Sequence, residues 1–209
     1  MKKFFLALMC VAALAMVSCD NSKDPNKSGT NVKDVDVTKL DATTEKCWAV
    51  GTTAKVDNVS DAVTNYYWGT EKAIVEEAQD ELKEYEEMCK QYGLTLELVV
   101  KYSEASPKDK AACKQMDDAA EKEYLESGNC WKINVTAGTV FSQDVYMWGH
   151  EAAVLIGEME GKVMIEEMIK QYGLSLEVKT SHEKADFKDP DSCEAQNKGL
   201  TGMPELLKK

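Results

Sequence analysis

The chain contains no arginine: all 25 of its basic residues are lysine, set against 37 aspartates and glutamates. Arginine's planar fork grips phosphate or carboxylate through two parallel hydrogen bonds, and lysine does not reproduce that geometry. Nucleic-acid binding also needs clustered cations to release condensed counterions, and a formal net charge of -12 repels a phosphate backbone. No nucleic-acid partner is expected, and the acidic surface is read as a solubility device. Histidine is almost as scarce, with only His150 and His182. No two cysteines stand at the close spacing of zinc ligands, so neither metal nor cofactor is implied. A Gly-rich phosphate loop and a nucleophile elbow are missing too, and no catalytic residue is assigned. Long apolar runs are absent apart from Phe4 to Val17, which falls short of the ~20 residues a membrane span needs.

That apolar run follows Met1-Lys2-Lys3 and ends at Ser18-Cys19-Asp20, giving the positive start, apolar middle and small-residue cut of an export signal. The stretch Met16-Val17-Ser18-Cys19 resembles the lipobox of bacterial lipoproteins, with Met16 where leucine is usual. The resemblance implies that residues 1–18 are a signal peptide and that the Cys19 thiol carries a lipid such as palmitate. It also implies that the protein is held to a membrane of the cell envelope by that lipid. Charged residues after Cys19 resemble sorting signals whose meaning differs between bacterial groups, and the outer membrane or cell surface is expected ahead of the inner membrane. Residues 19–45 carry apolar side chains only singly, as Val32, Val35, Val37 and Leu40, and are expected to form a flexible tether.

The body reads as one unit written twice. Cys47-Trp48 is answered by Cys130-Trp131, and Trp68-Gly69-Thr70-Glu71 by Trp148-Gly149-His150-Glu151. Lys90-Gln91-Tyr92-Gly93 returns as Lys170-Gln171-Tyr172-Gly173, and Lys108-Asp109 near Cys113 as Lys188-Asp189 near Cys193. Beyond the Cys-Trp pair the offset is a constant eighty residues. Alternation at Trp48, Val50 and Thr52 predicts a strand, and a second strand runs into Trp68. Ile74, Ala78, Leu82 and Tyr85 recur at helical spacing, with Thr70 as cap and Gly93 as left-handed stop. Leu94, Leu96, Leu98 and Val100 alternate as a third strand. The expected class is α+β: a tandem duplication of a strand-strand-helix-strand unit, with helices on one face of antiparallel or mixed sheets. A right-handed crossover places strand one between strands two and three, antiparallel to both. Ser106-Pro107 predicts a connecting helix from Pro107 to about Ser127, which Pro190 shortens in the second copy. The units then span 46–106 and 129–198, with the connecting helix at 107–128 and a tail at 199–209.

Export permits disulfides, and the repeat matches Cys47 with Cys130 and Cys113 with Cys193. Bridges Cys47–Cys113 and Cys130–Cys193 are therefore predicted, leaving Cys89 as the free thiol. Plain buried thiols and bridges between the copies are the alternatives. The Trp-Gly-x-Glu motif makes Trp68 with Glu71, and Trp148 with Glu151, candidates for binding, since an indole offers a flat apolar face and one donor. The competing reading packs each tryptophan under the next helix. His150-Glu151 begins like a helical zinc-protease motif, but Val154 stands where the second histidine ligand belongs. The apolar stripe along Ile156, Met159, Val163, Met164 and Ile165 is wider than a surface helix needs, and is expected either to be buried or to cover a partner.

The sequence favours a non-enzymatic envelope module that binds protein, peptide or glycan. The alternatives are an envelope scaffold and a hydrolase with its site between the two units. Labelling with radioactive palmitate is expected to mark the wild-type protein and to leave Cys19→Ala unmarked; label on the variant would refute the anchor.

Overall fold

The computed structural model describes residues 28–93 and 95–198. The signal sequence, Cys19 and the 199–209 tail lie outside them. The chain divides into two compact units between Glu126 and Ser127. No described helix is long and apolar enough to cross a membrane. The fold is α+β, built from four helices and two antiparallel sheets.

In the first unit a two-residue strand β1 (Thr30–Asn31) precedes β2 (Glu45–Val56) and β3 (Val59–Thr70). The β2–β3 hairpin closes through Asp57-Asn58, with Asp57 in the left-handed region that a two-residue hairpin turn requires. Helix α1 (Glu71–Tyr92) follows, capped by Thr70 Oγ1, which accepts from the Ala73 N–H at 3.3 Å, and stopped at Gly93 with φ +65°. Strand β4 (Glu97–Glu104) and helix α2 (Lys110–Ser127) complete the unit. The sheet order is β1-β4-β2-β3, so the first long strand is central and antiparallel to both neighbours, as the crossover rule requires.

The second unit runs β5 (Asn129–Ala137), β6 (Phe141–Gly149), α3 (Glu151–Gln171), β7 (Val178–Lys184) and α4 (Pro190–Glu194). Its sheet order is β6-β5-β7. The third strand of each unit starts later than the leucine alternation suggests, at Glu97 and Val178, yet keeps the inward parity of Leu98 and Val100. The helix after it begins at Lys110 rather than Pro107. Asp109 takes the capping role instead of Ser106, its Oδ1 accepting from the Ala112 N–H at 2.9 Å. Asp189 does the same for Ser192 ahead of α4, where Pro190 sits at the first helical position.

Neighbouring residues on a strand face opposite sides of the sheet. On one side of the first sheet, Trp48, Val50, Val100 and Tyr102 pack with Ile74, Val75, Ala78 and Leu82 of α1. On the other, Cys47 and Ala49 pack with Ala105 and with Cys113 of α2. The second sheet stacks Ile133, Val135 and Val178 against Val154 and Ile169 of α3. Because α2 buries Ala120 and Tyr124 against Val63, it belongs to the first unit and is not a separate connector.

Both predicted bridges form. Cys47–Cys113 and Cys130–Cys193 have Cα–Cα distances of 5.6 and 5.7 Å, and each ties the first long strand of its unit to the helix after the third. Cys89 is buried and takes part in neither bridge.

The reading of 19–45 as a flexible tether is corrected over its second half. Val32 is completely buried, β1 pairs with Tyr102 and Lys101 of β4, and Val35, Val37 and Leu40 pack on the first core. Isolated valines carry no periodic signal, and their burial is decided by a groove made elsewhere in the chain. The sheet consequently has four strands where three were expected.

Each bridge closes a loop of more than sixty residues, for which the chain-entropy relation gives about 4 kcal/mol. Replacing Cys47 and Cys113 together by alanine is expected to lower the unfolding free energy by about 3–4 kcal/mol in denaturant titration, while Cys89 in the native protein resists alkylation. A loss below about 1 kcal/mol would show the bridge to be energetically idle.

Candidate functional site

Trp68 lies directly across the ladder from Cys47, and Trp148 across from Cys130, so each indole shares a face with its disulfide. Trp68 is half-buried against Cys47, Ala49, Ala105 and Cys113, and its Nε1 donates to Glu45 Oε2 at 3.0 Å. Trp148 is half-buried too; its Nε1 lies 2.6 Å from where a Cβ on Gly128 would sit, which restricts that position to glycine. Neither tryptophan is fully exposed or fully covered.

Glu71, three residues after Trp68, does not join it. Glu71 opens α1, and its Oε1 accepts from the Tyr102 hydroxyl at 3.0 Å. Tyr102 in turn stands against Trp48, with ring centroids 5.8 Å apart. Burial, followed by the bond to Glu71, pushes the Tyr102 phenol up to about 12. The expected pairing of Trp68 with Glu71 is thus replaced by a Trp48–Tyr102–Glu71 stack on the α1 face, because β3 points Trp68 to the other side.

The same stack in the second unit carries different chemistry. His182 takes the place of Tyr102, its ring 5.5 Å from Trp131. Its Nε2 lies 3.7 Å from Glu151 Oε1, and its Nδ1 lies 2.9 Å from Glu158 Oε2. Glu158 stands where the first unit has Ala78, and only 7 % of its side chain is exposed. Its Oε1 has no hydrogen-bond partner among the described residues. Sequence reasoning did not single out Glu158 or this role of His182. The eighty-residue offset held the signal, since the positions of Ala78 and Tyr102 in the first unit are held by Glu158 and His182 in the second. A carboxylate this deep needs a hydrogen-bonded partner, which the imidazole supplies.

Chemically, the arrangement is a clamp. Both ring nitrogens of His182 face carboxylates, which leaves neither free to take a substrate proton, and neither nitrogen faces a nucleophilic side chain in these contacts. His150 is at the helix start without a side-chain cap, its Nε2 3.2 Å from Ser127 Oγ, and Val154 is completely buried in the core. Among the described residues no group of three or more His, Cys, Asp or Glu is placed to hold a metal.

A further matched feature protects the edge strands. The Tyr66 N–H of β3 donates to Asp117 Oδ1 of α2 at 2.8 Å. In the second unit the Tyr146 N–H donates to Asn197 Oδ1 at 2.8 Å, and Asn197 Nδ2 donates to the Tyr146 carbonyl at 2.7 Å. Asp117 and Asn197 stand at the same eighty-residue offset. Each supplies a side chain where a further strand would pair.

No protein-family model matches the chain, and no curated protein or solved structure matches it.

Removing His182 leaves the Glu158 carboxylate buried without its counterpart, so His182→Ala is expected to cost about 2–4 kcal/mol. The pair exchange Glu158→Ala with His182→Tyr, which installs the residues of the first unit, should restore most of that loss in denaturant unfolding. A loss in the double variant equal to the sum of the losses in Glu158→Ala and His182→Tyr alone would mean that the two side chains are not coupled.

Proposed function

We propose that this chain is a lipid-anchored protein of the cell envelope, at the outer membrane or cell surface, whose two stapled units form a non-enzymatic interaction module for protein, peptide or glycan. The observation that carries the reading is the half-exposed tryptophan seated beside a buried disulfide in each unit. A disulfide suits an oxidising compartment outside the cytoplasm and fixes the backbone beneath the indole. An aromatic side chain held rigid in this way loses little freedom on binding, which is what makes tryptophan effective as an anchor. The lipobox resemblance supplies the anchor, and the residues following Cys19 connect it to the first unit.

A scaffold role is the second reading, and the observation that favours it is the buried half of each tryptophan. Hydrolysis is less well supported, because His182 spends both nitrogens on Glu151 and Glu158.

Glu45 is exposed and hydrogen-bonded to the Trp68 indole, which makes it the place for a photo-crosslinking amino acid. In native envelopes the crosslinked product is expected to fall about tenfold, the effect of losing a binding anchor, when Trp68→Ala is combined with the probe. Crosslinking that ignores the substitution would remove Trp68 from the interface and favour the scaffold.

A further inference from the structure

The two units differ at one edge. In the first, residues 28–40 add β1 to the outer edge of β4, bury Val32, and are clamped by Gln79, whose Nε2 donates to the Val32 and Val35 carbonyls at 2.6 and 3.0 Å. Lys33 pairs with Glu86 farther along α1. In the second, β7 ends the sheet, and no described strand pairs with its outer edge.

Position by position, what is covered in the first unit is open in the second. Val100 and Tyr102 are buried, whereas Thr180 and His182 are half-exposed; Lys101 is half-buried, whereas Ser181 is exposed. On the helix beside the strand, Val75 is completely buried but Leu155 is not. Met159 replaces the clamp residue Gln79, and Val163 replaces Lys83. Leu155, Met159 and Val163 lie four residues apart, forming a half-exposed apolar line along one flank of α3. This accounts for part of the wide apolar stripe that the helix shows in sequence. Glu166 stands where Glu86 receives Lys33.

We propose that the outer edge of β7 and the adjacent flank of α3 form a strand-addition site for an extended peptide of another envelope protein. The first unit fills the matched site with its own residues 28–40, and that segment defines the occupant. It is a short strand followed by a β-branched residue that enters the groove, with a lysine next to it for the acidic helix. Main-chain hydrogen bonds to a sheet edge give such sites affinity, and the pocketed side chain gives selectivity. The acidic chain also favours a basic peptide. This rests on the interaction-module reading and names its ligand class.

The test uses the full-length protein and a synthetic peptide with the sequence of residues 28–40. The first unit's own segment is covalently tethered at millimolar effective concentration, so the free peptide competes poorly there and reports on the second unit. Peptide at about 0.1 mM, well below that effective concentration, is expected to slow hydrogen exchange at the amides of 180–184 on the order of tenfold and to leave 99–104 unchanged. A peptide carrying Val32→Asp should lose the effect. Met159→Gln, which restores the amide clamp, should tighten binding roughly fivefold. Unchanged exchange in β7, or protection confined to β4, would overturn the site. Protection that rises with protein concentration in the absence of peptide would make a second copy the occupant and overturn it equally. Neither result touches the tryptophan crosslinks, so failure here is separable from failure of the module reading.

Discussion

A small antiparallel sheet has two faces and two edges, and the helix inserted between its second and third strands covers only one of those four surfaces. Everything else in each unit answers that shortage. The bridges Cys47–Cys113 and Cys130–Cys193 hold a second helix to the opposite face, where the side chains of the strand are otherwise small, Ala49 beside Cys47. In the first unit the bridge adds a covalent tie to the packing of Ala120 and Tyr124 against Val63. The α1 face needs no such tie, because Trp48, Val50 and Tyr102 meet a full helical stripe.

The edges are treated separately. Asp117 and Asn197 occupy the backbone of the second strand in each unit, Asp117 from the same helix as Cys113 and Asn197 from the 3-10 turn that directly follows the short helix of Cys193. In the first unit bridge and edge cap share one helix: the bridge fixes it, and it delivers the polar side chain. The other edge is closed by residues 28–40 in the first unit and by nothing described in the second. The β7 edge, which no described strand pairs, has half-exposed apolar side chains beside it, a surface whose chemistry points to an added strand.

Between the helix and the sheet, the two units fill the matching place differently. One sets a neutral tyrosine between a tryptophan and a glutamate; the other sets a histidine between two glutamates, one of them buried. The aromatic contact and the helix-start glutamate persist through the change. Where the first unit has Ala78 on the helix and Tyr102 on the strand, the second has Glu158 and His182 in hydrogen-bond contact, which gives the buried carboxyl a partner.

The sequence determined the α+β class, the order of elements, the central place of the first long strand and the partners of the disulfides. All of these follow from local period, capping chemistry and the self-match at eighty residues, which are properties of neighbours along the chain. Thr70 and Gly93 mark the ends of α1 because a cap and a left-handed stop are local requirements. Tertiary structure alone decided that Val32 is core, that Glu71 serves Tyr102 and not Trp68, that Asp117 guards an edge, and that Glu158 finds His182. Each of these contacts joins residues distant in sequence across a face or an edge that exists only after the sheet has formed. Their energies depend on burial, and burial is not a property of any single residue.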